Sequence, residues 1–121
     1  MCGIVGYIGD KKAQTILLGG LRRLEYRGYD SAGLAVITPD GQLKRVRING
    51  KVQALADAIN ETAISGKIGI AHTRWATHGV PSVANAHPQA DDTDDVFVVH
   101  NGIVENYLVL KKELQQEGHK F

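Results

Sequence analysis

The chain holds one cysteine, Cys2, directly behind Met1. A small residue in that position suits removal of the initiator, which would leave a thiol and an α-amino group on the same residue. A free α-amino group titrates near 7.7 to 8.0, so it can take a proton from its own thiol at neutral pH. A second candidate is Asn101-Gly102. Its side-chain amide and the following backbone N–H could converge on a developing oxyanion, and glycine would let a substrate approach closely. A third is Arg74-Trp75, which opens a long polar stretch. Arginine suits a two-pronged grip on a carboxylate, and a tryptophan beside a small-residue loop suits a lid. Plainer readings stand beside each. Cys2 is also a small apolar residue at the start of a strand, Asn-Gly is also a turn dipeptide, and Arg74 is also a surface arginine beside a core tryptophan. Asn49-Gly50 repeats the dipeptide without comparable surroundings and is read as a turn.

Metal chemistry is not expected. The five histidines (His72, His78, His87, His100 and His119) share no helical i, i+3 or i+4 spacing, and no HExxH motif or adjacent Cys-His pair occurs. Asp91, Asp92, Asp94 and Asp95 lack the glycine and closing glutamate of a calcium loop, so they read as a solvated turn. No organic cofactor is implied.

The elements that must position these groups follow from periodicity. Residues 2–8 read as a buried strand. Ala13, Leu17, Leu21 and Leu24 mark one face of a helix from Lys11 to about Tyr26, which Gly19-Gly20 interrupts at roughly 1 kcal/mol per glycine. That interruption implies close backbone packing. Residues 32–37 and 42–48 flank Thr38-Pro39-Asp40-Gly41 and predict a hairpin with an exposed second strand. Val52, Leu55, Ala56 and Ile59 predict a second amphipathic helix, and residues 67–73 a strand. Arg74 to Asp95 is polar and Pro/Gly-interrupted, the pattern of a functional loop. Residues 96–100 read as the strongest buried strand. The last helix, about Asn106 to Glu117, should turn Tyr107, Leu110 and Leu114 inward and end at Gly118. Helices layered on sheet follow.

Composition excludes several classes. Fourteen Lys and Arg against 13 Asp and Glu give a formal charge of +1 over 121 residues. That balance argues against nucleic acid and against an anionic membrane surface as partners. No apolar run is long enough to span a bilayer, and no apolar core follows the first basic residue, Lys11, as a secretory signal would require. A cytoplasmic location is expected. One cysteine forms no internal disulfide, and a redox sensor would lack a resolving partner.

Together the segments resemble class II (Ntn-type) glutamine amidotransferase domains. Cys2-Gly3-Ile4-Val5-Gly6 matches the opening of that family. His72-Thr73-Arg74-Trp75-Ala76-Thr77-His78-Gly79, Asn85-Ala86-His87-Pro88 and His100-Asn101-Gly102-Ile103-Val104-Glu105-Asn106 follow in its order. Leu24 to Gly33 (LEYRGYDSAG) is similar to the members that feed ammonia to fructose 6-phosphate.

The resemblance implies an α+β fold, the Ntn-hydrolase four-layer αββα sandwich, present in part. It implies that residues 1–121 form the N-terminal part of a glutaminase domain, with the rest of that domain and the sugar isomerase domains absent. It further implies Cys2 as nucleophile and Asn101 and Gly102 as the oxyanion hole. Arg74 would bind the α-carboxylate of L-glutamine, with Thr77 and His78 in the binding loop. Trp75 would close the site toward an ammonia channel, and Arg27 and the Gly28 to Ser31 turn would lie near the N-terminal residue and support it. An aspartate for the substrate α-amino group would lie beyond Phe121. The whole protein would be a homodimer acting on glutamine and fructose 6-phosphate. Alternatives are another class II member (phosphoribosyl- or asparagine-forming) and a non-catalytic domain of this fold. Glu25 to Gly33 argues for the sugar-directed group.

Overall fold

The computed structural model describes residues 2–76 and 79–121. In chain order the elements are β1 (Gly3–Ile8), α1 (Ala13–Leu24), a short 3-10 turn (Glu25–Arg27), β2 (Ser31–Ile37), β3 (Leu43–Ile48), α2 (Val52–Thr62), β4 (Ile68–Arg74), β5 (Gln89–Ala90), β6 (Phe97–Val98) and α3 (Tyr107–Gln116). The main sheet runs β1-β4-β2-β3, antiparallel throughout. β5 and β6 pair separately.

Strand alternation divides the sheet into two unlike faces. Ala32, Leu34 and Val36 of β2 and Ala71 of β4 form one core with Ala13, Leu17 and Leu21 of α1 and Val52, Leu55 and Ile59 of α2. Leu17, Leu34 and Leu55 are fully buried there, each stabilising the fold by roughly 1.5–3 kcal/mol relative to exposure. The expected helix faces are therefore the observed ones. Gly20 explains half of the glycine pair: a Cβ there would lie 2.8 Å from the Val5 side chain, so α1 can rest on β1 only with hydrogen at that position. Gly19 meets nothing, and its cost to the helix has no packing counterpart.

The hairpin forms as expected. Gly41 N–H donates to Thr38 O at 2.9 Å, and Thr38 N–H donates to Gln42 O at 2.8 Å. β3 lies at the sheet edge, yet it is not the exposed strand expected: only Lys44 is exposed, and Arg45 and Arg47 are half-buried on loop carbonyls. Asp91 to Asp95 is the expected solvated turn, with Asp91 Oδ1 accepting from the N–H groups of Asp95 and Val96.

Three further expectations need correction. β1 is not buried on both sides: Val5 and Tyr7 pack toward the helices, but Ile4 and Ile8 on the other face are exposed. Residues 96–100 are not a buried strand. Only Phe97–Val98 pairs, against the two residues of β5, and nothing among the described residues covers Val96 or Val98. A run of β-formers without a long partner strand has nowhere to place its ladder. α3 forms and ends at Gly118, yet none of its residues is buried. Its apolar side is the one expected: Tyr107, Leu110 and Leu114 are 37–40% exposed, against 66% for Leu108. Among the described residues no helix is long and apolar enough to cross a membrane.

Candidate functional site

The site grows from the sheet face that the helices leave open. On β4, Gly69 meets Leu17 of α1 and Ala71 joins the helix-side core, so Ile68, Ile70, His72 and Arg74 point the other way. Gly3 pairs with Thr73 across the β1–β4 ladder, which sets Cys2 beside the end of β4. The thiol is bracketed by backbone: Trp75 N–H donates to Cys2 Sγ at 3.3 Å, and Sγ lies 3.7 Å from Trp75 O. Asn101 arrives from the far end of the sequence. Its Nδ2 donates to Cys2 O at 3.4 Å, while its Oδ1 lies 2.6 Å from His72 Nε2. Gly102 adopts φ +148°, and a Cβ there would lie 3.1 Å from the His100 ring, so a side chain would be both strained and crowded.

Cys2 and Gly102 open onto one cavity of about 440 Å³, lined also by Arg74, Trp75, Asn85 and His87, with the Asn101 amide behind its wall against Cys2 O. That volume suits a small polar ligand. Arg74 is buried at its wall and donates to Val80 O at 3.4 Å. Trp75 is half-exposed at the rim, its ring against Gly28. Arg27 ends the 3-10 turn, half-buried and outside the cavity wall. Met1, Thr77 and His78 lie outside the described residues.

Further contributors come from the Gly28 to Ser31 turn, which the resemblance sets beside Cys2, and from β3, which it does not. Asp30 clamps the exit of β4: its N–H donates to Arg74 O at 2.7 Å, and its Oδ2 accepts from Ala76 N–H at 2.6 Å. This holds the backbone that carries both Arg74 and Trp75. The register explains the placement, since Ser31 opposite Arg74 puts Asp30 next to the loop. The polar loop is pinned to the sheet by β3. Arg47 Nη1 donates to Ala84 O and Ala86 O at 3.3 and 3.2 Å, and Arg45 Nη1 donates to Pro88 O at 3.3 Å. Gly33 makes the approach possible, because a Cβ there would sit 2.1 Å from His87 O.

That approach stacks His87 on His72, ring centroids 4.4 Å apart. Burial, then the neighbouring positive or protonatable groups His72 and Arg74, push His87 down to about 4. Burial also lowers His72, against the opposing pull of its hydrogen bond to Asn101. Both rings are neutral at pH 7. An unfolded histidine titrates near 6.5, so below that pH the unfolded chain binds protons that the folded site refuses. Stability is therefore lost as pH falls from about 6.5 toward 4. Thermal denaturation should show a midpoint several degrees lower at pH 5 than at pH 7.5, and His87→Gln should flatten that difference. A midpoint that is flat or rises on acidification would contradict the burial of these rings. The window stays above the carboxylate range, so Asp91 and Asp40 contribute little to it.

Comparison with known proteins places this geometry. Over all 121 residues the chain is 58% identical to the glutamine–fructose-6-phosphate aminotransferase [isomerizing] of Thermus thermophilus. It is 60% identical to that of Legionella pneumophila and 55% identical to that of Bacteroides thetaiotaomicron. Along its whole length the chain is similar to the glutamine–fructose-6-phosphate aminotransferases. It spans 20% of the length of these relatives. No family model matches it. Among solved structures, the glutamine phosphoribosylpyrophosphate amidotransferase of B. subtilis, complexed with ADP and GMP, superposes on the whole chain with a TM-score of 0.80 at 26% identity, over 26% of its own length. A structure described as the allosteric regulatory enzyme of purine biosynthesis gives 0.81 at 27%, also over 26% of its length. The fold is thus the α+β fold of the Ntn-type amidotransferases, with α1 and α2 layered on the four-stranded sheet.

Proposed function

We propose that this chain carries the nucleophile half of a glutaminase site, which releases ammonia from the side-chain amide of L-glutamine through a thioester on Cys2. The observation that supports it most is the hydrogen bond to Cys2 from a side chain 99 residues away, Asn101, where Cys2 lines a cavity walled by Arg74. After loss of Met1, the α-amino group of Cys2 takes the thiol proton, directly or through a water. The thiolate attacks the carboxamide carbon, and the C=O electrons move onto oxygen. Asn101 Nδ2 and Gly102 N–H hold that oxyanion. Its collapse breaks the C–N bond, and ammonia leaves with the proton the amine had taken. Water then attacks the γ-glutamyl thioester, giving glutamate and restoring the thiol.

Arg74 binds the α-carboxylate of the substrate, with Thr77 and His78 in the same loop. Trp75 covers the site, and Arg27 supports the turn behind Cys2. The names of the aminotransferase relatives support fructose 6-phosphate as ammonia acceptor in the intact protein, which we read as a cytoplasmic homodimer. Residues 1–121 would be the first part of its glutaminase domain. The 55–60% identity to those relatives favours this acceptor over the phosphoribosyl acceptor of the structural neighbours at 26–27%.

The test is glutamate and ammonia release by the intact protein supplied with L-glutamine. Equimolar, time-dependent release is expected. No release above buffer, from protein whose mass shows Met1 removed, would overturn the reading.

A further inference from the structure

His72 is buried at the site, 1% exposed, and it reaches the cavity chemistry through Asn101, the backbone of His100 and the cavity wall. Its Nε2 lies 2.6 Å from Asn101 Oδ1. A carbonyl oxygen only accepts, so in this arrangement the imidazole proton is on Nε2. Nδ1 is buried, and among the described residues it makes no hydrogen bond. A lone pair there is tolerable, whereas an N–H there would be a buried donor with no acceptor. The fold thus favours one tautomer, and that tautomer accepts only one orientation of the Asn101 amide. With Oδ1 held by His72, the NH2 end must face Cys2. A flipped amide would set its NH2 group against the His72 N–H, donor to donor.

We propose that His72 is a positioning residue for the oxyanion hole: its Nε2–H locks the Asn101 carboxamide with Nδ2 toward the reacting carbon. The inference rests on the glutaminase reading above and assigns His72 a role beyond it. The stacked His87 ring and the Gly33 approach hold the imidazole plane, so the donor has a fixed direction.

In the intact protein, His72→Leu should lower kcat for glutamine hydrolysis about 10- to 100-fold while KM changes less than about threefold, because Arg74 is untouched. In an Asn101→Ala background the same substitution should cost less than about twofold more, since both act through one amide. His72→Gln keeps a donor and should recover part of the loss. An unchanged kcat in His72→Leu, or a loss that multiplies with that of Asn101→Ala, overturns the inference. A second readout needs no substitution: 15N-histidine NMR of the unaltered protein should show His72 as the Nε2–H tautomer, and the Nδ1–H tautomer would overturn it. Absence of hydrolysis by the unaltered protein would instead defeat the glutaminase reading, so the two failures are separable.

Discussion

Cys2→Ala is expected to reduce glutamine hydrolysis by at least about 10⁴-fold while leaving the thermal midpoint unchanged. The magnitude follows from the role: without the sulfur no thioester forms, and an oxyanion hole alone retains only a small fraction of the acceleration. The stability expectation follows from the contacts. Cys2 is half-exposed, and its sulfur meets only the backbone of Trp75, so alanine leaves no buried cavity and no stranded donor in the core. Steady-state hydrolysis beside a melting curve checks both halves. Activity within tenfold of the unaltered protein would remove Cys2 from the mechanism.

Asn101→Ala is expected to lower kcat by about 10²- to 10³-fold, the usual effect of deleting one oxyanion donor. It should also cost stability, because His72 Nε2–H loses its acceptor in a buried place, a loss of about 1–3 kcal/mol. Asn101→Asp separates the two effects. Aspartate still accepts from His72 but presents no donor to the oxyanion, and it brings negative charge where negative charge develops. It should recover the melting temperature and not the rate. Kinetics and thermal denaturation of the pair read this directly. A rate recovered by aspartate would mean that Asn101 acts as a structural residue only.

Local patterns in the sequence read well where one element decides its own environment. Ala13, Leu17 and Leu21 repeat at the helical spacing and sit against the sheet, and Pro39-Asp40-Gly41 turns the chain between β2 and β3. The terminal thiol, Arg74, Asn101 and Gly102 were legible because each type suits one step of amide hydrolysis. What brings them together was not legible from spacing. It depends on the β1–β4 register that sets Cys2 beside Thr73 and Arg74, and on Asn101 crossing from the end of β6. Arg45 and Arg47 act on backbone carbonyls and the Asp30 carboxylate on the Ala76 N–H, contacts that leave no trace in side-chain patterns. His72 was weighed only as a metal ligand, since its partner lies 29 residues away in sequence. The misjudged strand at 96–100 and the uncovered face of α3 share one cause. Apolar periodicity reports the side that seeks cover, and cover itself comes from other elements.

The central claim is that Cys2, as the N-terminal residue, is the nucleophile toward a glutamine side chain. The most direct measurement is the mass of the intact protein, followed by a peptide map, after reaction with a chloroketone analogue of glutamine. The account predicts loss of Met1 and a single adduct, on Cys2, prevented by excess L-glutamine. Retained Met1 in active protein, or an adduct that forms elsewhere and ignores glutamine, would contradict it.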